Sequence, residues 1–390
     1  MLKYNLLNNN VDLSYLVNDN NLDLFNILYE NNLLYNIYDK ESILPYTNCL
    51  FNIACLKGQL KICRFLYEKY NIQLTSNYFI LACFNGHLNV AMWLYNYVDI
   101  LKTFIYDNHY VDAFYIACVN NQYNILIWLI NLEEIKKYIN TCRWTYLFIR
   151  CCRLGFIKIV KLLYYNNIYD ENTLDISFLL SCHNNNLDLC KWLYDFNIIN
   201  IRIYNDFIFI GSCYNGCLDV CKWLYDKNIF NNDSTLNIAF AKSCIYNQRD
   251  ICLWLLSIHN INIHHENEYA FRLSNLENQK WLMTLDSNID VNANSESAFF
   301  YACYNNNIEQ VEWLLNFNID IYNVMEKYFY YNIYNNNKFI KLIINYGVDI
   351  FYVKNERLKN KLKNELFIFV KLYFNKYICD DILLYLFDFI

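Results

Sequence analysis

A phenylalanine followed four residues later by a cysteine occurs eight times in this chain, at Phe51/Cys55, Phe79/Cys83, Phe114/Cys118, Phe148/Cys152, Phe178/Cys182, Phe209/Cys213, Phe240/Cys244 and Phe299/Cys303. Ten residues after each cysteine stands a large apolar residue, Phe65, Trp93, Trp128, Leu162, Trp192, Trp223, Trp254 or Trp313, and the next residue is always leucine. Phe271 and Tyr328 extend the aromatic series, whose members are separated by 28, 35, 34, 30, 31, 31, 31, 28 and 29 residues. A period of about 31 residues constrains the fold more than any other feature of the sequence. A unit this small cannot bury its own apolar face, so successive units must stack.

The spacing inside the unit says what is stacked. Phe to Cys is an i, i+4 step, which places both on one face of a first helix. Three residues after the cysteine comes Gly58, Gly86, Asn121, Gly155, Asn185, Gly216, Asn247 or Asn306. Glycine and asparagine tolerate a left-handed backbone, so this position predicts the cap that ends helix one. Apolar residues then recur five, seven, eight, ten and eleven positions past the cysteine, as in Leu187, Leu189, Cys190, Trp192 and Leu193. That is a second amphipathic helix. Each unit is read as a helix, a tight turn, a longer antiparallel helix and a loop. One unit is contracted, with six residues from Asn275 to Trp281 where the others have ten. Losing four residues turns the helical phase by only about 40°, so the apolar face is expected to survive. Leu16 to Tyr29 reads as a degraded unit serving as an N-terminal cap. The expected organisation is a cap over 1–45, about ten repeats over 46–350, and a distinct C-terminal segment over 351–390.

Composition agrees with an all-α chain. Six glycines and one proline leave little material for β-turns, and 56% hydrophobic residues supply a large core. The net charge of -6 provides no general attraction to phosphate backbones, which argues against a nucleic-acid partner. The opening MLKYNLLNNN lacks the pattern of a secretory leader, and no run reaches the ~18 apolar residues of a membrane span. An intracellular protein without a membrane partner is expected. Seventeen cysteines in such a compartment stay reduced. The abundance of Asn, Ile, Tyr, Phe and Lys follows AT-rich codons and suggests an AT-rich source genome.

Residues 81–97, LACFNGHLNVAMWLYNY, resemble the ankyrin repeat, whose helical core runs Ala-Ala-x-x-Gly-His-Leu-x-Val-Val-x-x-Leu-Leu; Gly86, His87, Leu88, Val90 and Leu94 match it directly. The resemblance extends over about ten units, roughly residues 10–350, and is greatest to the tryptophan-containing ankyrin proteins of giant DNA viruses. It implies an ankyrin-type helical-pair solenoid that binds other proteins, with host or viral proteins as partners, the host cytoplasm as location, and a monomeric state. The family's Thr-Pro-Leu-His is absent, and the unit is shorter than the ~33 residues of ankyrin, so short or degenerate hairpin loops are expected. A tetratricopeptide-type solenoid has a longer repeat and fits less well.

Few residues suggest chemistry. Twelve of the seventeen cysteines occupy two repeat registers and are read as small core hydrophobes. Cys213, Cys217 and Cys221 are interrupted by a turn at Gly216 and lack a fourth ligand. His259, His264 and His265 cluster in one loop, where a solvated role is the default and a metal or pH role the alternative. No phosphate-binding, nucleophile-elbow or zinc-protease motif occurs, so neither an enzyme nor a cofactor is expected. Seven tryptophans fall in repeat registers and are read as core; Trp144, beside Arg143 in a long loop, is a candidate partner anchor, its alternative being packing on its own helix. Tyr106 and His109 in the other long loop, with Asp107 and Tyr110, are candidates of the same kind.

The chain ends in a basic stretch, Lys354 to Lys363, and then YICDDILLYLFDFI. This terminus serves either as a solenoid cap or as an adaptor helix. In the second case Ile378, Ile382, Leu386 and Ile390, with Asp380 or Asp381 as helix N-cap, resemble the beginning of an F-box or the truncated F-box-like C-terminus of poxvirus ankyrin proteins, with Cys379 replacing the family's proline. That resemblance implies recruitment of a cullin-type ubiquitin ligase.

Overall fold

The computed structural model describes residues 23, 43–97, 113–133, 145–195, 205–230, 232–305, 307–327, 360 and 363. Among these residues the protein is all-helical, with nineteen α-helices, one 3₁₀ turn and no strand. The helices alternate as the register predicts. Helix one of each unit is α1 (Ile43–Lys57), α3 (Ser76–Phe84), α5 (Ala113–Val119), α7 (Thr145–Leu154), α9 (Leu174–His183), α11 (Asn205–Tyr214), α13 (Asp233–Ile245), α15 (His265–Leu273), α17 (Ala293–Tyr304) and α19 (Ile321–Lys327). Helix two is α2 (Leu60–Tyr70), α4 (Leu88–Tyr95), α6 (Tyr123–Ile130), α8 (Ile157–Tyr165), α10 (Leu187–Asp195), α12 (Leu218–Asp226), α14 (Arg249–Ile258), α16 (Leu276–Leu285) and α18 (Ile308–Leu314).

The chain forms two compact units, residues 1–200 and 201–390. In the first, α1 packs on α3, α3 on α5, α5 on α7 and α7 on α9. In the second, the same succession runs from α11 through α13, α15 and α17 to α19. From α1 to α18 each helix one also packs on its own helix two.

The repeat register is the core. Phe51, Phe79, Phe114, Phe148, Phe178, Phe209, Phe240, Phe271 and Phe299 are the largest fully buried side chains. The described register cysteines are buried with them, and so are the residues seven, eight and eleven positions beyond, such as Ile62, Cys63 and Leu66. The tryptophans behave differently: Trp93 is buried, whereas Trp128, Trp192, Trp223, Trp254, Trp281 and Trp313 are half-buried. They stack between rungs and do not fill the centre. Trp93 lies 6.3 Å from Phe51 and meets Tyr67 edge-on at 5.7 Å, both in the preceding pair. Trp128 repeats the contact with Phe79 and Tyr95, Trp192 with Tyr164, and Trp254 with Tyr225.

The turn between helices is built as its residues require. Gly58, Gly86, Gly155 and Gly216 have φ of 72° to 82°, and Asn121, Asn185 and Asn247 have φ of 59° to 62°. Around Gly58, Gln59 N donates to Ala54 O at 2.9 Å and Gly58 N to Cys55 O at 3.3 Å, the paired bonds of a Schellman cap. Leu60 N then donates to Gly58 O, an inverse γ-turn that launches helix two. The eighth turn residue, Asn306, lies outside the described residues. In the contracted unit, α15 ends early and Asn275 caps α16 by accepting from Asn278 N at 2.9 Å. Trp281 still reaches Phe240, at 6.4 Å, so the helical phase is kept.

Candidate binding surface

The turns of successive units are joined by side chains, which fixes how the outward surfaces line up. His87 Nε2 donates to Leu56 O of the preceding turn at 2.8 Å, Gln122 Nε2 to Phe84 O at 2.9 Å, and Asn186 Nδ2 to Arg153 O at 3.0 Å. Each passes over a glycine. A Cβ at Gly58, Gly86, Gly155 or Gly216 would overlap His87, Gln122, Asn186 or Gln248. Where the turn residue is Asn121 or Asn185, the next rung in the sequence supplies Phe156 or Cys217, with no amide or imidazole. Asn247 joins the ladder with its own side chain, its Oδ1 accepting from Asn278 Nδ2 at 3.0 Å.

The two helices of a pair present different chemistry outward. On helix two, the positions six and nine past the register cysteine carry mixed charges in several units: Lys158/Lys161, Asp188/Lys191, Asp219/Lys222 and Glu309/Glu312. In three others position nine is apolar, Met92, Ile127 or Leu253, while position six is Asn89, Asn124 or Asp250. On helix one the outward registers are mostly aromatic or aliphatic. Of the fourteen exposed large hydrophobic residues, seven lie there, Phe84, Tyr146, Leu154, Ile176, Phe207, Tyr301 and Tyr304, with Tyr246 at the cap of α13, against Met92, Ile127, Tyr165, Leu253 and Leu285 on helix two. A solvated face has no need of such residues, whereas contiguous ones mark contact surfaces.

The stripe is best defined in the second unit, across α11, α13, α15 and α17. Phe207 is 56% exposed, Tyr246 55% and Tyr304 57%. The Tyr214 and Tyr246 rings lie 5.1 Å apart, bridging α11 and the end of α13. At the centre, Lys242 Nζ donates to Tyr269 Oη at 2.7 Å and lies 5.1 Å from the centre of that ring, while the Arg272 guanidinium lies 5.8 Å from it. The hydrogen bond to Tyr269 raises the Lys242 pKa, so the side chain stays charged. Arg272 is anchored by Asn267 O at 2.6 Å, Glu266 O at 3.0 Å and Ser297 Oγ at 3.2 Å.

Those carbonyls belong to an unusual turn. Glu266, Asn267 and Glu268 have φ of 52°, 53° and 62°, and Asn294, Ser295 and Glu296 repeat the conformation at 54°, 58° and 54° one unit later. Three consecutive left-handed residues cost about 1–2 kcal/mol each. Side chains hold the first turn in place. His264 Nδ1 donates to Glu268 Oε1 at 2.6 Å and Nε2 to Asp286 Oδ2 at 3.2 Å, which requires the imidazolium form. The hydrogen bond to Glu268, with that to Asp286 in support, raises the His264 pKa, while Asp286 is lowered chiefly by the Asn288 amide. The expectation of three solvated loop histidines is therefore corrected: His259 Nε2 lies 3.4 Å from Asp233 Oδ1, His264 is clamped between carboxylates, and His265 is partly buried at the start of α15. The residue spacing did not reveal this because Glu268 reaches His264 through the left-handed turn and Asp286 comes from the end of α16.

Of the cysteines described, only Cys49 is exposed. Cys55 and Cys63 place their sulfurs 3.8 Å apart, and Cys244 and Cys252 3.4 Å apart, as cross-helix packing pairs. The bond to Cys63 and burial raise the Cys55 thiol far above its usual range, and burial is the first cause for Cys152, Cys213, Cys244 and Cys303. Among the described residues no three His, Cys, Asp or Glu side chains are placed to hold a metal ion, and no helix is long and apolar enough to cross a membrane.

The loop candidates Tyr106, His109, Arg143 and Trp144 lie outside the described residues, as do Ile378, Asp381, Ile382, Leu386 and Ile390 at the C-terminus. The outward helix-one stripe was missed as a site by sequence reasoning, and its signal is partial: an aromatic stands two positions before the register Phe in three units, Tyr146, Phe207 and Tyr269, and one or two after the register Cys in four, Phe84, Tyr214, Tyr246 and Tyr304. The chain matches no family model and no curated protein.

Proposed function

We propose that this protein is a non-catalytic ankyrin-type repeat scaffold that binds a protein partner along its helix-one face. The observation that carries this reading is the asymmetry of the outward surfaces: mixed charge is frequent on helix two, whereas helix one carries exposed aromatics on a frame fixed by the turn ladder. Tyrosine and phenylalanine supply large contact area at small entropic cost, which suits recognition. The resemblance to ankyrin proteins of giant DNA viruses and the AT-rich composition support a viral monomer acting on host or viral proteins in the host cytoplasm.

The test is affinity purification of the full chain from host-type cell extract with mass spectrometry, beside the Tyr246→Ser/Tyr304→Ser variant and the helix-two variant Leu253→Ser. A partner retained by the native chain and by Leu253→Ser, and lost with the tyrosines, supports the reading. Equal retention by all three, or loss only with Leu253→Ser, contradicts it. The ubiquitin-ligase adaptor reading rests on the sequence pattern of residues 378–390 alone. It requires that ligase subunits bind the full chain and not a chain ending at Asn375.

A further inference from the structure

The second unit's stripe carries a charge pattern that narrows its partner. Lys242 and Arg272 both lie against one ring, Tyr269, and among the described residues neither has a carboxylate within ion-pair distance. The acidic residues of the same helices are otherwise engaged. Asp206 accepts from Thr235 Oγ1 at 2.7 Å, Asp233 Oδ1 lies 3.4 Å from His259 Nε2, and Glu268 and Glu296 are buried. Glu266 is exposed and acts on Lys242 only from beyond contact range. Two cations therefore stand without contact neutralisation on a chain whose net charge is -6. The same row of helices carries the exposed rings of Phe207, Tyr301 and Tyr304, and Tyr246 at the end of α13.

Such a surface fits a ligand that brings negative charge to the centre and apolar groups to both sides. Tyr269 Oη accepts from Lys242, which leaves its own proton to donate outward. Arg272 uses Nε, one Nη1 hydrogen and one Nη2 hydrogen on its anchors, leaving two guanidinium hydrogens for an acceptor. A cation fixed on an aromatic ring is pre-organised, so a carboxylate docking there orders few additional bonds. A nucleic acid fits less well, because two cations cannot offset repulsion from the rest of an acidic chain.

Resting on the scaffold reading above, we infer that the α11–α17 stripe binds an extended acidic protein segment, with Lys242, Tyr269 and Arg272 receiving a carboxylate and Tyr246, Tyr301 and Tyr304 receiving flanking apolar side chains. The test selects a phage-displayed library of random peptides on the full chain and measures the enriched peptides by fluorescence polarisation. Enriched peptides carry Asp or Glu flanked by apolar residues, their affinity falls as salt rises, and Lys242→Glu weakens them by at least about tenfold. Tyr269→Phe, which keeps the ring and removes the donor, weakens them less, and Leu253→Ser on helix two leaves them unchanged. Circular dichroism confirms that each variant is folded. Enrichment of neutral or basic peptides, no enrichment, or equal affinity for Lys242→Glu overturns the inference. If extract partners still depend on Tyr246 and Tyr304 while acidic peptides fail, the scaffold reading stands and only the partner class is lost.

Discussion

At the scale of single residues, the choice between glycine and asparagine at the turn is set by the rung that follows. Gly86 has φ of 79° and lies beneath Gln122, so any Cβ there meets both a disfavoured backbone and an occupied space. Gly86→Ala is expected to cost about 1–3 kcal/mol in urea unfolding, combining left-handed strain with displacement of the Gln122 hydrogen bond. Asn185 already has a Cβ at φ of 59°, and Asn185→Gly should stay within about 0.5 kcal/mol of the native chain. Gly86→Asn and Gln122→Ala should then couple: the asparagine costs less when the glutamine is gone, by roughly 1 kcal/mol in a double-mutant cycle. Strict additivity would show that the two positions do not share space.

At the scale of elements, most of the architecture was legible because the same few signals recur. The Phe, Cys and Trp-Leu positions mark both helices, and seven described turn residues have the left-handed backbone that their types predict. A second signal went unread. Asn71, Asn167, Asn228 and Asn318 have positive φ and are each followed by a buried isoleucine, Ile72, Ile168, Ile229 and Ile319, which pins the chain after helix two. The abundance of asparagine thus reflects turn construction; Asn120, Asn184 and Asn215 also donate to the carbonyl four residues back, each at 2.8 Å. The left-handed turns at 266–268 and 294–296 were not legible, since ordinary propensity opposes Glu, Asn and Ser in that conformation.

The first of those turns carries a pH prediction. The folded pKa of His264 is raised by Glu268 and Asp286, so its contribution is complete below the ~6.5 of a free imidazole and is lost as pH rises through the higher folded value. The urea midpoint should therefore decline as pH rises above about 6.5, and His264→Asn, which copies Asn292 of the next unit, should flatten that decline. An unchanged slope in His264→Asn would assign the effect to other groups.

At the scale of the whole molecule, the core is assembled by repetition, and its thiols report on its integrity. Fourteen of the fifteen described cysteines are buried, leaving Cys49 exposed. Thiol reagents should label Cys49 at once, with Cys142 and Cys379 outside the described residues as further fast sites at most. The buried fourteen should react only as the chain unfolds, with a urea dependence matching the circular dichroism transition. Prompt labelling of many more would mean that the pairs are not packed as described. Phe178→Ala, which empties one core position of the first unit, should cost about 3–5 kcal/mol by the same transition.

The proposed partner surface was less legible than the frame for a physical reason: outward positions are free to vary, so aromatics stand there in only some units and no strict period selects them. The central claim is that helix one, and not helix two, faces the partner. A site-specific photo-crosslinker placed in turn at Phe207, Tyr246 and Tyr304, and at Lys191, Lys222 and Leu253, tests it directly in extract. The account predicts that one protein is captured from the three helix-one positions and not from helix two. Capture from the helix-two positions alone, or from neither set, would contradict it.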